Sequence, residues 1–150
     1  MFKEEVKQDV KALGGLPVFL LSAFTFYLSG NAKVALVLLA GLVIGYVIAS
    51  SLRLLFWRKR PDKEKYHNVL SKIDAGSFPS MHSMRAAMLV TVLMMQFQRP
   101  VAYVVFGLAG LSVLWMRVYQ KRHFTGDVIA GAVLGVVIII GIAFALLVFF

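Results

Sequence analysis

Five stretches of this chain run for about the width of a bilayer with almost no charge: Leu13–Leu28, Ala32–Trp57, Met81–Phe97, Pro100–Met116 and Gly126–Phe150. A helix needs roughly 20 apolar residues to cross the hydrocarbon layer. That layer gives backbone N–H and C=O groups no water, so a spanning segment must satisfy them itself, as a helix does. The expectation is an all-α integral membrane bundle of five transmembrane helices. It fills residues 1–150 as a single membrane domain and leaves no length for a separate soluble one. The chain is 60% hydrophobic over 150 residues, against about half in soluble domains.

Residues 1–11 differ from the rest. Phe2, Val6 and Val10 recur every four residues among lysines and acids, which reads as a short amphipathic helix lying at the interface. The segment lacks the apolar core and cleavage site of a secretory signal. With no cysteine in the chain, disulfides, thiolate nucleophiles and cysteine metal sites are excluded. A net charge of +9 on so apolar a chain reads as topology and headgroup contact with membrane lipids, not as nucleic-acid binding. Two small-residue pairs, Gly41/Gly45 and Gly126/Ala130, suit close helix packing and permit a homo-oligomer.

Five crossings place residues 1–11, the 58–79 loop and the 117–125 loop on one side. Of 16 Lys and Arg residues, 14 lie on or just inside that side, and only Lys33 and Arg99 lie on the other. By the positive-inside rule the loop-bearing side is cytoplasmic in a multi-pass cell-membrane protein.

Three polar clusters interrupt the apolar pattern, all on that side. The first is Arg53 followed, after six residues, by Arg60–Pro61. The second is Phe78–Pro79–Ser80–Met81–His82, where the third span begins. The third is Arg117, five residues, His123, three residues, Asp127. Three guanidinium forks suit the oxygens of a phosphate. Ser80 adds a hydroxyl at a helix start, where backbone N–H groups favour an anion. If the fifth helix begins near His123, then Asp127 shares its face, and the carboxylate can hold one ring nitrogen while the other attacks. His82 is a second imidazole, able to protonate a leaving group.

These clusters resemble the type 2 phosphatidic acid phosphatase (PAP2) superfamily, which also includes vanadium haloperoxidases. Its signature is K-x6-RP, PSGH and SR-x5-H-x3-D, and the blocks here occur in that order from Arg53 to Asp127. The resemblance implies a membrane lipid phosphatase with a PAP2-type core, acting through a phosphohistidine. Arg53, Arg60, Arg117, Ser80 and the Met81 N–H would bind phosphate. His123 would attack phosphorus, Asp127 would orient it, and His82 would protonate the departing oxygen. The family's phosphatases need no metal or other cofactor. Implied substrates are phosphatidic acid, phosphatidylglycerophosphate-type lipids and isoprenyl phosphates or diphosphates.

Arg53 replaces the family lysine, Met81 its glycine and Met116 its serine. Met81 alters the cradle if the glycine serves a positive φ, and changes only a side chain if it sits in a first helical turn. The other charges have plainer readings. Arg58, Lys59, Lys63, Lys65 and Lys72 read as headgroup charges and His67 as a solvated loop residue, while Arg85, one turn after Met81, reads as a snorkelling arginine ahead of a contact with substrate phosphate or a lipid headgroup. Met84, Met88, Met94 and Met95 read as packing groups. Two other functions share these features. An anion or lipid transporter would use the basic vestibule, but the spans lack mid-membrane ionisable residues. A haloperoxidase would use the same cradle, with no reason to reside in lipid.

Overall fold

A computed structural model describes residues 12–61, 67–68 and 75–149. The amphipathic segment expected over 1–11 lies outside them. Among the described residues the fold is five helices: α1 (Leu16–Leu28), α2 (Ala32–Leu55), α3 (Met81–Gln96), α4 (Pro100–Tyr119) and α5 (Thr125–Phe149). Three of them, α2, α4 and α5, are long and apolar enough to cross a membrane. The other two are shorter, with 13 residues in α1 and 16 in α3.

Local chemistry sets the helix ends. Pro17 and Pro100 sit in the first turns of α1 and α4, where their missing N–H has no helical partner to lose. Ser80 caps α3 by accepting from the Ser83 N–H, satisfying a donor that the first turn leaves open. Two helices end in the same paired-bond turn. After α1, Asn31 N–H donates to Phe26 and Gly30 N–H to Tyr27, with Gly30 at φ 84°. After α4, Arg122 N–H donates to Arg117 and Lys121 N–H to Val118. Both are Schellman turns, which need a left-handed residue after the cap. In the second, that residue is Lys121, at φ 55°.

The helices run up and down, so that α1, α3 and α5 begin, and α2 and α4 end, around one cavity. The α3–α5 pair is the most extensive packing, and α2 closes over both. A Cβ on Gly131 would lie 2.4 Å from the Ser80 carbonyl oxygen, and one on Gly135 would lie 2.3 Å from that of Met84. Glycine at both positions lets the α5 backbone touch that of α3. Gly41 and Gly45 do a similar job on α2, where a Cβ would meet Ile139 and the Met84 and Met88 side chains. Both are packed within the chain. Gly126 has no neighbour within 4 Å of a built Cβ, so its expected partnership with Ala130 is not a packing contact within the chain.

The interior is divided by polarity. Phe19, Leu38, Met84, Met88 and Ile139 form the centre of an apolar cluster. Among the described residues, the buried polar ones are Arg53, Ser77, Ser80, Ser83, Arg85, Arg117, His123 and Asp127, all near the end of the bundle where the cavity lies. The outer faces are apolar: Val43, Val47, Leu54, Leu108, Leu111, Val133 and Phe144 are each more than half exposed.

Candidate active site

A cavity of about 770 Å³ opens at the polar end. Six of the eight expected site residues line it: Arg53, Arg60, Met81, His82, Arg117 and His123. The other two, Ser80 and Asp127, are fully buried behind it. Arg53 and Arg117 come from the last turns of α2 and α4, where the negative end of the helix dipole favours a cation. Arg53 is 1% exposed and donates from Nη2 to the Pro79 carbonyl at 2.9 Å. That bond ties the end of α2 to the segment leading into α3. The Phe78–Pro79 peptide there is cis.

Met81 is the first residue of α3 and has no positive φ. Replacing a family glycine here therefore changes a side chain and leaves the backbone path intact. The first-turn N–H groups of α3 still begin at the cavity wall. Ser80 Oγ accepts from the Ser83 hydroxyl at 2.9 Å and from the Ser83 N–H, so it shapes the helix start from behind. Met116 is buried and is not among the cavity-lining residues.

His123 differs from the expected arrangement. α5 begins at Thr125, so His123 precedes the helix and does not share a helical face with Asp127. Its Nδ1 lies 2.8 Å from the Ser77 carbonyl oxygen. A carbonyl only accepts, so Nδ1 carries the proton and Nε2 keeps its lone pair in the neutral ring. Burial, with the Arg117 guanidinium next in weight and those of Arg60 and Arg53 after it, lowers the His123 pKa to about 4. The ring is therefore neutral near pH 7 and competent as a nucleophile.

Asp127 acts one step further back. Its Oδ2 accepts from the Ser77 hydroxyl in a very short bond, and from the Phe124 N–H at 3.0 Å. The second bond is the reach-back of a capping box, from the third helical residue to the cap. Its Oδ1 accepts from Arg58 at 3.1 Å. Arg58 also lies over the Phe124 ring, 3.9 Å from its centroid, and its carbonyl accepts from the Ser77 N–H. An antiparallel bridge between Lys59 and Gly76 joins the two described loop arms. Arg58, Asp127 and Ser77 thus form a connected support that ends on the His123 ring.

Ser77 and Arg58 were not legible as site residues. Ser77 falls outside every motif block, and Arg58 reads as one more loop cation. Arg85 departs from its snorkelling reading. It is 5% exposed and lines the cavity with Tyr46 and Arg122. His67 is exposed, in keeping with a loop residue.

A family model for the PAP2 superfamily matches residues 34–149. The chain belongs to the PAP2 superfamily. Its fold is similar to two solved structures. One is LpxE from Aquifex aeolicus, with a TM-score of 0.75, 20% identity, and coverage of 93% of this chain and 84% of that one. The other is a transmembrane PAP2-type phosphatidylglycerolphosphate phosphatase from Bacillus subtilis, with a TM-score of 0.73, 23% identity, and coverage of 95% and 75%. No curated protein sequence matches the chain.

Proposed function

We propose that this PAP2 protein is a lipid phosphatase that cleaves a phosphomonoester or diphosphate at the polar end of a five-span membrane bundle. The observation that carries the reading is a neutral His123, its Nδ1 proton committed to Ser77, in a cavity that it shares with Arg53, Arg60 and Arg117. Phosphoryl transfer asks a protein mainly for positioning and charge stabilisation, and these groups supply both. Helices apolar enough for a bilayer lead directly to the cavity, so a substrate anchored in lipid would bring its phosphate to the site. One of the two similar structures is named as a phosphatidylglycerolphosphate phosphatase.

The proposed steps balance without a metal. His123 Nε2 attacks phosphorus, and the bond from phosphorus to the lipid-side oxygen breaks. His82 gives that oxygen a proton. Water then attacks the phosphohistidine, returns a proton to His82, and the P–N bond breaks to release phosphate. The three arginines hold the phosphoryl oxygens throughout, with the first-turn N–H of Met81. Asp127 orients His123 through Ser77. Against an anion or lipid transporter, the arrangement provides a nucleophile with a fixed tautomer, which transport does not require. By sequence, 14 of the 16 Lys and Arg residues fall in or beside the segments expected on the loop-bearing side, which supports a cytoplasmic site.

The test is phosphate release from a panel of lipid phosphates by the purified protein. His123→Ala should abolish it. Release at the wild-type rate by that variant contradicts the reading.

A further inference from the structure

Resting on the phosphatase reading, we infer that Arg85 is a positioning residue for the proton donor His82, acting through the turn that precedes α1. Residues 12–15 form that turn, closed by a bond of 2.8 Å from the Gly15 N–H to the Ala12 carbonyl. Gly14 brings it against His82. A Cβ built on Gly14 would lie 3.1 Å from the His82 carbonyl oxygen, 3.6 Å from the His82 Cβ and 2.9 Å from a Val113 methyl. A side chain there would push the turn away from the histidine.

Arg85 fastens the turn in that place. It lies on α3 three residues beyond His82, a spacing that makes the two neighbours on one side of the helix. Its Nε donates to the Gly14 carbonyl at 3.1 Å, and its Nη1 donates to the Tyr46 hydroxyl on α2. The planar guanidinium fixes both directions together, so α2, α3 and the turn are joined at one point. Ala12 and Gly15 line the cavity with His82. The turn is thus a wall of the cavity where the His82 side chain leaves α3. A proton donor must stand about 2.6–3.2 Å from the departing oxygen, and a displacement of about 1 Å can cost on the order of 100-fold in rate. Loss of Arg85 unties the turn from α3 and takes that wall from His82. The role is one of placement, and the arginine need not touch the substrate.

The test varies the leaving oxygen. An alkyl phosphate loses an alkoxide, which takes the His82 proton as the P–O bond breaks. A nitrophenyl phosphate bearing the same long chain loses a phenolate, which departs without one. Arg85→Met should lower kcat/KM for the alkyl phosphate about 10- to 100-fold, part of what general acid catalysis supplies, and that for the nitrophenyl phosphate about threefold or less. Gly14→Ala, with the arginine intact, should show the same selectivity. In a His82→Ala background, Arg85→Met should cost nothing further on the alkyl phosphate, because the two act as one unit. No loss, equal losses on both substrates, or a loss that persists after His82→Ala overturns the inference. If Arg85→Met does not fold, Gly14→Ala decides by the same comparison. A readout without turnover keeps the two claims apart. The chain has three histidines, so histidine-labelled protein gives three ring signals in NMR spectra. Arg85→Met and Gly14→Ala should shift or broaden that of His82 more than that of His123, and an unmoved His82 signal overturns the inference. If the wild type cleaves neither ester, the phosphatase reading fails, while the His82 signal still reports whether Arg85 positions that ring.

Discussion

His123 is controlled by groups that touch it and by groups that do not. Its pKa of about 4, against 6.5 in the free side chain, predicts the acid limb of the pH profile. With substrate titration divided out, kcat/KM reports the free enzyme and should fall near pH 4, not near 6.5. The limb of kcat should lie higher, because a bound phosphate anion favours the imidazolium. The same shift acts on stability. The folded state favours the neutral ring, so His123's contribution is fully present above pH 6.5 and is lost as pH falls toward 4. Support from behind gives a second prediction. Ser77→Ala keeps the carbonyl that accepts from Nδ1 but removes the hydroxyl that binds Asp127. It should reduce kcat about 10- to 100-fold with little change in KM, measured by steady-state phosphate release. Arg58→Gln, at a half-exposed position, should reduce it less. At this scale the motif spacing brings six of the eight expected residues to the cavity wall and the other two behind it. Ser77 was not legible because its contribution to the ring is a backbone carbonyl. Arg85 stood between a substrate contact and snorkelling, because its burial depends on Gly14 and Tyr46, which are remote in sequence.

The helices were the most legible elements. Hydrophobic runs placed every end of α1 to α5 within three residues, because apolar length, proline and caps are local signals. Which glycines pack was not local. Gly126 and Ala130 drew attention, yet Gly131 and Gly135, on the same helix and also four apart, meet the α3 backbone. The α3–α5 contact carries the cap of α3 and the start of α5 into the site, so Gly131→Ala should lower both thermal stability in detergent and activity. Overpacking of this kind costs about 1–3 kcal/mol. Gly126→Ala, with open space around it, should leave the melting temperature unchanged. The turn between α4 and α5 gives a further test. Lys121 holds a left-handed conformation between Arg117 and His123. Lys121→Val should destabilise the protein and slow catalysis, since a β-branched residue resists positive φ, whereas Lys121→Gly should retain both. Differential scanning fluorimetry with a phosphate-release assay reads each pair.

The whole molecule places its charge and its apolar surface where a bilayer would require them. Buried arginines, a histidine and a carboxylate collect at one end, and large apolar side chains cover the outer faces of the helices. Under the proposed function, that pattern would set the site at interface depth, beside a lipid-anchored substrate. The charge count predicts that a protease added to the cytoplasmic side of oriented vesicles cuts the 58–79 loop, while one added to the opposite side leaves it intact. Composition and spacing made the bundle and the family legible, while the tuning of the site arises from contacts between distant segments. The central claim is that His123 is the nucleophile of a lipid phosphatase, and its most direct test is to trap the intermediate. Purified protein is mixed with a lipid bearing a radiolabelled terminal phosphate and quenched in alkali, where phosphohistidine survives. Label bound to His123 in the wild type and absent in His123→Ala, with phosphate release lost in parallel, is the predicted result. Release by His123→Ala at the wild-type rate would contradict it.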